Sequence, residues 1–387
     1  MSRLFPLRWR PAMKLETTAR VLKSALTVVG RVVERRSTIP ILGMVKFAGG
    51  AVTGTDLDTE ISVKLPASRF EGAACLPLHT LVHLVSHLSP DETVRILAGD
   101  QGATVSFSSG RYDLPTSEVA EFPEFAMAEP APIVLDGERL KKAITFVATF
   151  ISTEETRYYL NGVHISDDAA VATDGHRLGW HRLGFDGAPF DKAILPRRLV
   201  DTLIASPAPK SALLARGRIG FEMEGMSVRS KLIDGTYPDY RRVIPTMSEN
   251  AARLAVDRQS FLKMMARLSA MGTERFGAGV TLAWDDERLA VAAKFDFGEA
   301  TARETLAVLL PSTAGTSTYN ARYLASAMRR LRSDVVTMFC EDGGGPSVWR
   351  GDDDSFVVLM PMRGASEDIA ANLLTSLQAG KPLDEAA

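Results

Sequence analysis

Thr173-Asp174-Gly175-His176-Arg177-Leu178 supports two readings that lead to different proteins. Taken alone it suggests an enzyme, because Asp174 and His176 are residue types that move protons near neutral pH. The bland reading is a hairpin: Ala170 to Thr173 has the look of a strand, and Asp-Gly is a turn signal in its own right. The same Thr-Asp pair stands 118 residues earlier, at Thr55-Asp56. Gly43 and Gly162 are 119 apart, as are Pro77 and Pro196. Three landmarks in one register identify an internal repeat, with a period too long for a solenoid.

Hydrophobic periodicity fills in the unit. A helix is expected from Thr18 to Arg35, with Leu22, Ala25, Leu26, Val29 and Val33 on its apolar side. Pro40 ends it, and Ile41 to Phe47 reads as a strand. Further strands are expected around Thr53 to Val63, Val94 to Leu97 and Ala103 to Leu114, and a second helix after Leu76-Pro77. The second copy repeats this order: a helix with Leu140, Ala143, Ile144 and Val147, a strand from Arg157 to Val163, then Leu195-Pro196 and another helix. A fainter third copy has a helix with Phe261, Met265 and Leu268. After it comes a hairpin in which Val280, Leu282 and Trp284 alternate before Asp285-Asp286, and Leu289, Val291 and Ala293 after it. The fold class is therefore α+β, in three domains at residues 13–128, 129–248 and 249–363, with extensions at 1–12 and 364–387.

Composition is that of a globular chain, 45% hydrophobic and 24% charged, so sizeable cores can form. No apolar run reaches the ~18 residues of a membrane span, and residues 1–11 lack the apolar centre of a signal peptide; a cytoplasmic location and no membrane partner are expected. Cys75 and Cys340 are far apart and suggest neither a zinc knuckle nor a disulfide framework. No cofactor is indicated. His79, His83 and His87 recur at helical spacing, but no acidic partner joins them, and they read as helix-face residues with no metal.

The net charge of −2 argues against a surface basic all round. The expected helices nonetheless share a basic side: Arg20, Lys23, Arg31 and Arg35; Arg139 and Lys142; Arg197 and Arg198; Lys263 and Arg267; Arg322, Arg329, Arg330 and Arg332. One helix at a time these are solvated faces. Placed equivalently by a repeat, they could meet phosphates together, giving sequence-independent contact with duplex DNA.

Several motifs resemble one family. Arg36-Ser37-Thr38-Ile39-Pro40-Ile41-Leu42-Gly43, Arg157-Tyr158-Tyr159-Leu160-Asn161-Gly162, Ala172 to Leu178, Ser230 to Gly235, Tyr237 to Pro245 and Met360-Pro361-Met362-Arg363 look like the bacterial DNA polymerase III beta subunits, the sliding clamps. The resemblance runs from Met13 to Arg363 and is most specific in the second copy and the last motif. It implies a head-to-tail ring homodimer of three clamp-type domains per chain, with helices lining a hole around DNA and antiparallel sheets outside. It implies a processivity factor that is not an enzyme. Its partners would be the polymerase III catalytic subunit, the clamp loader, and other polymerases and repair proteins that carry short peptide motifs.

Residue by residue, the resemblance puts Arg36, Arg157, Tyr158, Tyr159, Arg197 and Arg198 on DNA, and Tyr112, Leu114 and Met271 at the contact between chains. It implies a partner-peptide pocket from Leu160, Thr173, Gly175, His176, Arg177, Leu178, Pro238, Arg242, Val243, Ser347, Val358, Met360, Pro361, Met362 and Arg363. Apolar area there suits a peptide, Met adapts to varied side chains, and Arg177, Arg242 and Arg363 could orient it by hydrogen bonds.

Two other readings stay in view: a specialised second clamp with restricted partners, and an enzyme using Asp174 and His176, which no nucleophile, metal set or phosphate-cradling loop accompanies. The first is motivated by the ends. Residues 1–12 precede the usual start, and the family ends one apolar residue after Met-Pro-Met-Arg, whereas here Gly364 and 23 further residues follow. In that tail Ile369, Leu373, Leu374 and Leu377 form an apolar stripe over Ser366 to Gln378. Such a helix is expected to cover the pocket or to dock on the flank of the third domain.

Overall fold

The computed structural model describes residues 12–127, 132–166, 168–185, 190, 192–271, 279–294, 301–351, 354–362 and 367–379. Among them are seven α-helices: α1 (Ala19–Val29), α2 (Leu78–Ser86), α3 (Gly137–Val147), α4 (Arg197–Ile204), α5 (Arg258–Met271), α6 (Ala321–Arg330) and α7 (Glu367–Gln378). The strands among them are all antiparallel, as an α+β chain requires. The chain divides into two compact units, one of residues 1–141 with 198–232, the other of residues 142–197 with 233–387.

The first unit holds two sheets. One has five strands in the order Arg69–Gly72, Met13–Thr18, Thr93–Gly99, Gly102–Phe107, Gly110–Leu114. Strict alternation builds it: Val94, Ile96 and Ala98 are buried while the residues between them face solvent. The other sheet has eight strands, and at its centre Met226–Lys231 pairs with Thr59–Lys64 in the register Val228 to Ile61. Both free cysteines are buried, and burial pushes both thiols up to about 11.

The second unit repeats the plan one copy later. Its eight-stranded sheet joins Arg177–Arg182 to Ser355–Leu359, with Leu178 opposite Val358. The remaining sheet has four strands in the order Thr301–Ala307, Arg288–Lys294, Gly279–Trp284, Gly315–Asn320. Each eight-stranded sheet is thus sewn from strands of two successive copies, and the sewing strand is the one that follows the Thr-Asp turn.

The aspartate of that turn caps it in the same way in both copies, and Asp285, after Trp284, does so in the third. Asp56 Oδ1 accepts the Asp58 and Thr59 N–H at 3.0 and 2.6 Å. Asp174 Oδ1 accepts those of His176 and Arg177 at 3.0 and 3.1 Å. Asp285 Oδ1 accepts those of Glu287 and Arg288 at 2.9 and 2.6 Å. A short carboxylate that caps its own turn fixes a tight hairpin without help from the rest of the chain. Gly175 takes φ +90° in this turn, and its counterpart Leu57 is forced to φ +77°.

Element boundaries depart from the periodicity in three places. α1 stops at Val29, not Arg35: Gly30 donates to Leu26 O at 2.9 Å, and the next residues close three-residue turns, Arg31 to Val28 and Val32 to Val29. Val32 and Val33 are still buried, which is why the apolar pattern outlives the helix. Pro40–Gly43 is a 3₁₀ turn ahead of the strand Met44–Ala48, and Tyr158–Leu160 is another ahead of Gly162–Ile165. In the third copy the expected hairpin forms, with Trp284 opposite Leu289 and Leu282 opposite Val291.

The tail helix α7 docks on the four-stranded sheet, not over the pocket. Leu373 and Leu377 are buried against Ala283, Ala290 and Ala292, with Leu374 packed beside them. These alanines alternate with Leu282, Leu289 and Val291, buried on the opposite face, so the sheet is sandwiched. Arg288 donates to the Leu377 carbonyl, where a cation suits the helix C-terminus. Ile369's side chain lies outside the described residues.

Candidate functional site

In the second unit the Thr-Asp hairpin, the Tyr237-to-Val243 segment and the strand Ser355–Leu359 converge on a cavity of about 320 Å³. Its floor is apolar core: Leu160, Leu178 and Val358 are 2–3% exposed and share a cluster with Val171, Tyr237 and Tyr240. Its rim is apolar and accessible, with Val243 52% and Met360 42% exposed. Burial pushes the Tyr237 phenol up, and its ring stacks on His164 with centroids 4.6 Å apart. Tyr240 OH and Ser166 Oγ lie 3.0 Å apart. Together these contacts tie the Tyr-Pro-Asp-Tyr segment to the strand Gly162–Ile165 and Ser166 beside it.

Thr173, Gly175, His176, Arg177 and Pro238, which the resemblance assigns to the partner pocket, also line the cavity. Arg177 does so with fewer free donors than expected. Its Nε donates to Asp174 Oδ2 at 2.8 Å, its Nη2 to Thr149 O at 3.1 Å and its Nη1 to Ser326 Oγ. Its guanidinium carbon also sits 4.5 Å from the Tyr323 ring centroid. It is a strut that fixes the wall, with little left for orienting a peptide. His176 stacks on the same Tyr323 ring at 5.9 Å, and Asp174 bonds the His176 backbone N–H. The geometry is a turn, and no Asp174–His176 proton-transfer pair forms.

Not every expected pocket residue reaches the cavity. Ser347 is fully buried; it accepts from Trp349 Nε1 at 3.0 Å and shapes the strand beneath. Arg242 is exposed and 3.5 Å from Asp239, outside the lining. Pro361 and Met362 are also outside the lining, which ends at Met360: the Met360 N–H donates to His176 O, whereas that of Met362 donates to Thr318 O, at 2.9 and 2.8 Å. Arg363 lies outside the described residues. Four lining residues were not expected there: Asp239 and Tyr240, signalled only by the quoted Tyr-Pro-Asp-Tyr motif, and Arg157 and Tyr159, assigned to DNA. A Cβ on Gly175 would lie 2.9 Å from Arg157 Nη1.

Family models for the DNA polymerase III beta subunit match residues 13–126, its N-terminal domain, and 134–239, its central domain. The beta sliding clamp of Caulobacter vibrioides is 31% identical over 383 residues, 91% of this chain and all of that one. That of Pseudomonas putida is 28% identical, over 88% of this chain and 97% of the relative. A solved Caulobacter crescentus clamp superposes with a TM-score of 0.83 at 29% identity, covering 92% of this chain and 100% of that one. A Bartonella birtlesii clamp solved with griselimycin gives 0.83 at 29%, covering 91% and 100%. The chain belongs to the beta sliding clamp family. It is accordingly a processivity factor of DNA replication and not a catalyst.

In this clamp the residues expected on DNA have different fates. Arg36 and Tyr158 are exposed. Arg197 donates to the carbonyls of Ile151 and Ser152, at 2.9 and 3.4 Å, and Arg198 is paired with the buried carboxylate of Asp56. Arg157 donates to Glu154 at 2.7 Å, which holds that carboxyl below its usual range. Of the expected chain-contact residues, Tyr112 is 50% exposed and Leu114 half-buried on the edge strand Gly110–Leu114. Met271 closes α5, and its side chain is outside the described residues. No helix among the described residues is long and apolar enough to cross a membrane.

Proposed function

We propose that this clamp closes head to tail with a second copy around duplex DNA, in the cytoplasm and without sequence preference. There it holds the polymerase III catalytic subunit, the clamp loader and repair proteins through short peptides seated in the cavity beside His176. The observation that carries the peptide seat is the pairing of a buried apolar floor with the exposed rim residues Val243 and Met360. Exposed apolar area beside a preformed cavity is what a partner's side chains can bury, at about 25 cal/mol per Å².

The ring reading is supported by the sheet plan. Each copy offers its last strand to the copy before it: Met226–Lys231 to Thr59–Lys64, and Ser355–Leu359 to Arg177–Arg182. The first copy has no predecessor, so Gly110–Leu114 is left as a sheet edge, and the third copy's sheet ends on Thr301–Ala307. Unpaired strand edges are templates for another chain. Among the described residues of the tail, α7 docks away from the cavity and leaves it open to partners.

The test is topological. Loaded onto nicked circular DNA, the protein should stay bound in high salt and leave when the circle is cut; equal retention on circle and line refutes the ring. In parallel, Val243→Asp with Met360→Asp should weaken a fluorescent clamp-binding peptide by about tenfold or more, equal to 1.4 kcal/mol. Unchanged affinity refutes the peptide seat.

A further inference from the structure

The chain has 14 methionines, and the fold sets two of them apart. Met13, Met264, Met265, Met328 and Met338 are at most 1% exposed, while Met44, Met127 and Met247 are half-buried. Among the described residues the exposed methionines are Met360 and Met362, at 42% and 36%. Both follow the strand Ser355–Leu359, and the backbone holds them in place through the bonds from Met360 N–H to His176 O and from Met362 N–H to Thr318 O. Met360 belongs to the cavity lining and Met362 does not. The two therefore share exposure and differ in what they touch.

A thioether needs no deprotonation to react with a peroxide, whereas a thiol reacts as its thiolate. Cys75 and Cys340 are buried, and burial pushes both thiols up to about 11, so they are poor competitors for an oxidant. Exposure thus directs oxidation of this chain to the Met-Pro-Met segment.

We propose that Met360 is a site of reversible oxidation by hydroperoxides that sets how tightly the cavity holds a partner peptide; this rests on the peptide-seat reading above. The sulfur lone pair attacks one peroxide oxygen, and the S–O bond forms as the O–O bond breaks. Sulfur is oxidised by two electrons; hydrogen peroxide is reduced, its departing hydroxide taking the proton of the transferred oxygen and leaving as water. Reversal requires a dithiol reductant acting through a sulfoxide reductase: two thiols become a disulfide, and the oxygen leaves as water. The sulfoxide replaces a flexible apolar side chain by a polar one. Leu178, Val243 and Val358, which share the cavity, have no side-chain donor to satisfy its oxygen, so a peptide that covers it buries an unpaired acceptor.

The test exposes the full chain to graded hydrogen peroxide and maps sulfoxides by mass spectrometry. Met360 and Met362 should be oxidised ahead of Met264 and Met338. Affinity for a fluorescent clamp-binding peptide should fall by about tenfold in step with the Met360 sulfoxide, near the low end of the cost of burying an unpaired polar group. Methionine sulfoxide reductase with dithiothreitol should restore it. Each variant is compared with itself before and after peroxide: Met362→Leu should keep the loss, and Met360→Leu should show none. An equal loss in Met360→Leu, or unchanged affinity at complete Met360 oxidation, overturns the inference. Bound peptide should also slow oxidation of Met360. A bound peptide that leaves the Met360 rate unchanged refutes the peptide seat, and with it the inference; protection of Met360 without loss of affinity on its oxidation refutes the inference alone.

Discussion

Asp174 does its work with backbone N–H groups. One carboxylate oxygen takes the two N–H groups of its own turn and the other takes Arg177, so the residue that first suggests catalysis is consumed in shaping a hairpin. The same turn in the first copy is less comfortable. Leu57 holds φ +77° where the second copy has glycine, and a left-handed non-glycine residue costs about 1–2 kcal/mol. Glycine gives back roughly 0.5–1 kcal/mol in unfolded-chain entropy. Leu57→Gly should therefore stabilise the first unit by up to about 1 kcal/mol, read as a higher urea midpoint. A lower midpoint would show that the 43% exposed Leu57 side chain contributes packing that outweighs its backbone strain.

Among the elements, α7 shows most clearly what local pattern can and cannot convey. The Leu373, Leu374, Leu377 stripe announces a helix with one apolar side. Its landing place depends on Ala283, Ala290 and Ala292, which are small enough for a helix to approach and lie some 80 to 90 residues away in sequence. Burying two leucines is worth about 1.5–3 kcal/mol each. Deleting residues 367–387 should speed amide exchange in Gly279–Trp284 and Arg288–Lys294 while changing peptide affinity by less than about twofold. A large gain in affinity would restore the idea that the tail covers the pocket. The over-long α1 has a matching cause: burial of Val32 and Val33 keeps the apolar period going through turns in which the α hydrogen bonds have already ended.

At the scale of the whole molecule, the repeat sets what the proposed ring needs. Sheets sewn across copies leave a first strand edge and a last one, and a second chain can satisfy both. Tyr112, half exposed and stacked on Phe107 at 5.7 Å, is the aromatic residue that the proposed contact would bury on the first edge. Tyr112→Glu should raise the dissociation constant of the two-chain form by about tenfold or more in sedimentation experiments, since buried aromatics dominate such contacts. A dimer of unchanged stability would place the contact elsewhere.

By resemblance the sequence named most of the residues that line the cavity; by itself it determined the repeat, the α+β class, the Thr-Asp hairpins and most helix positions. These are matters of local geometry: a period of 2 or 3.6, a proline, or an aspartate that caps its own turn. Only the tertiary structure decided that Leu178 faces Val358, that Arg177 is spent on Asp174, Thr149 and Ser326, that Ser347 is buried, and that α7 lies on the alanine face of a sheet. It also gathered Lys142 with Arg329, Arg330 and Arg332, which on separate helices had read as solvated faces. The physical reason is the same in each case. A strand pairing or a side-chain contact between segments well separated in the chain leaves no mark on the residues nearby, whereas a turn or a helix face is written in its immediate neighbours.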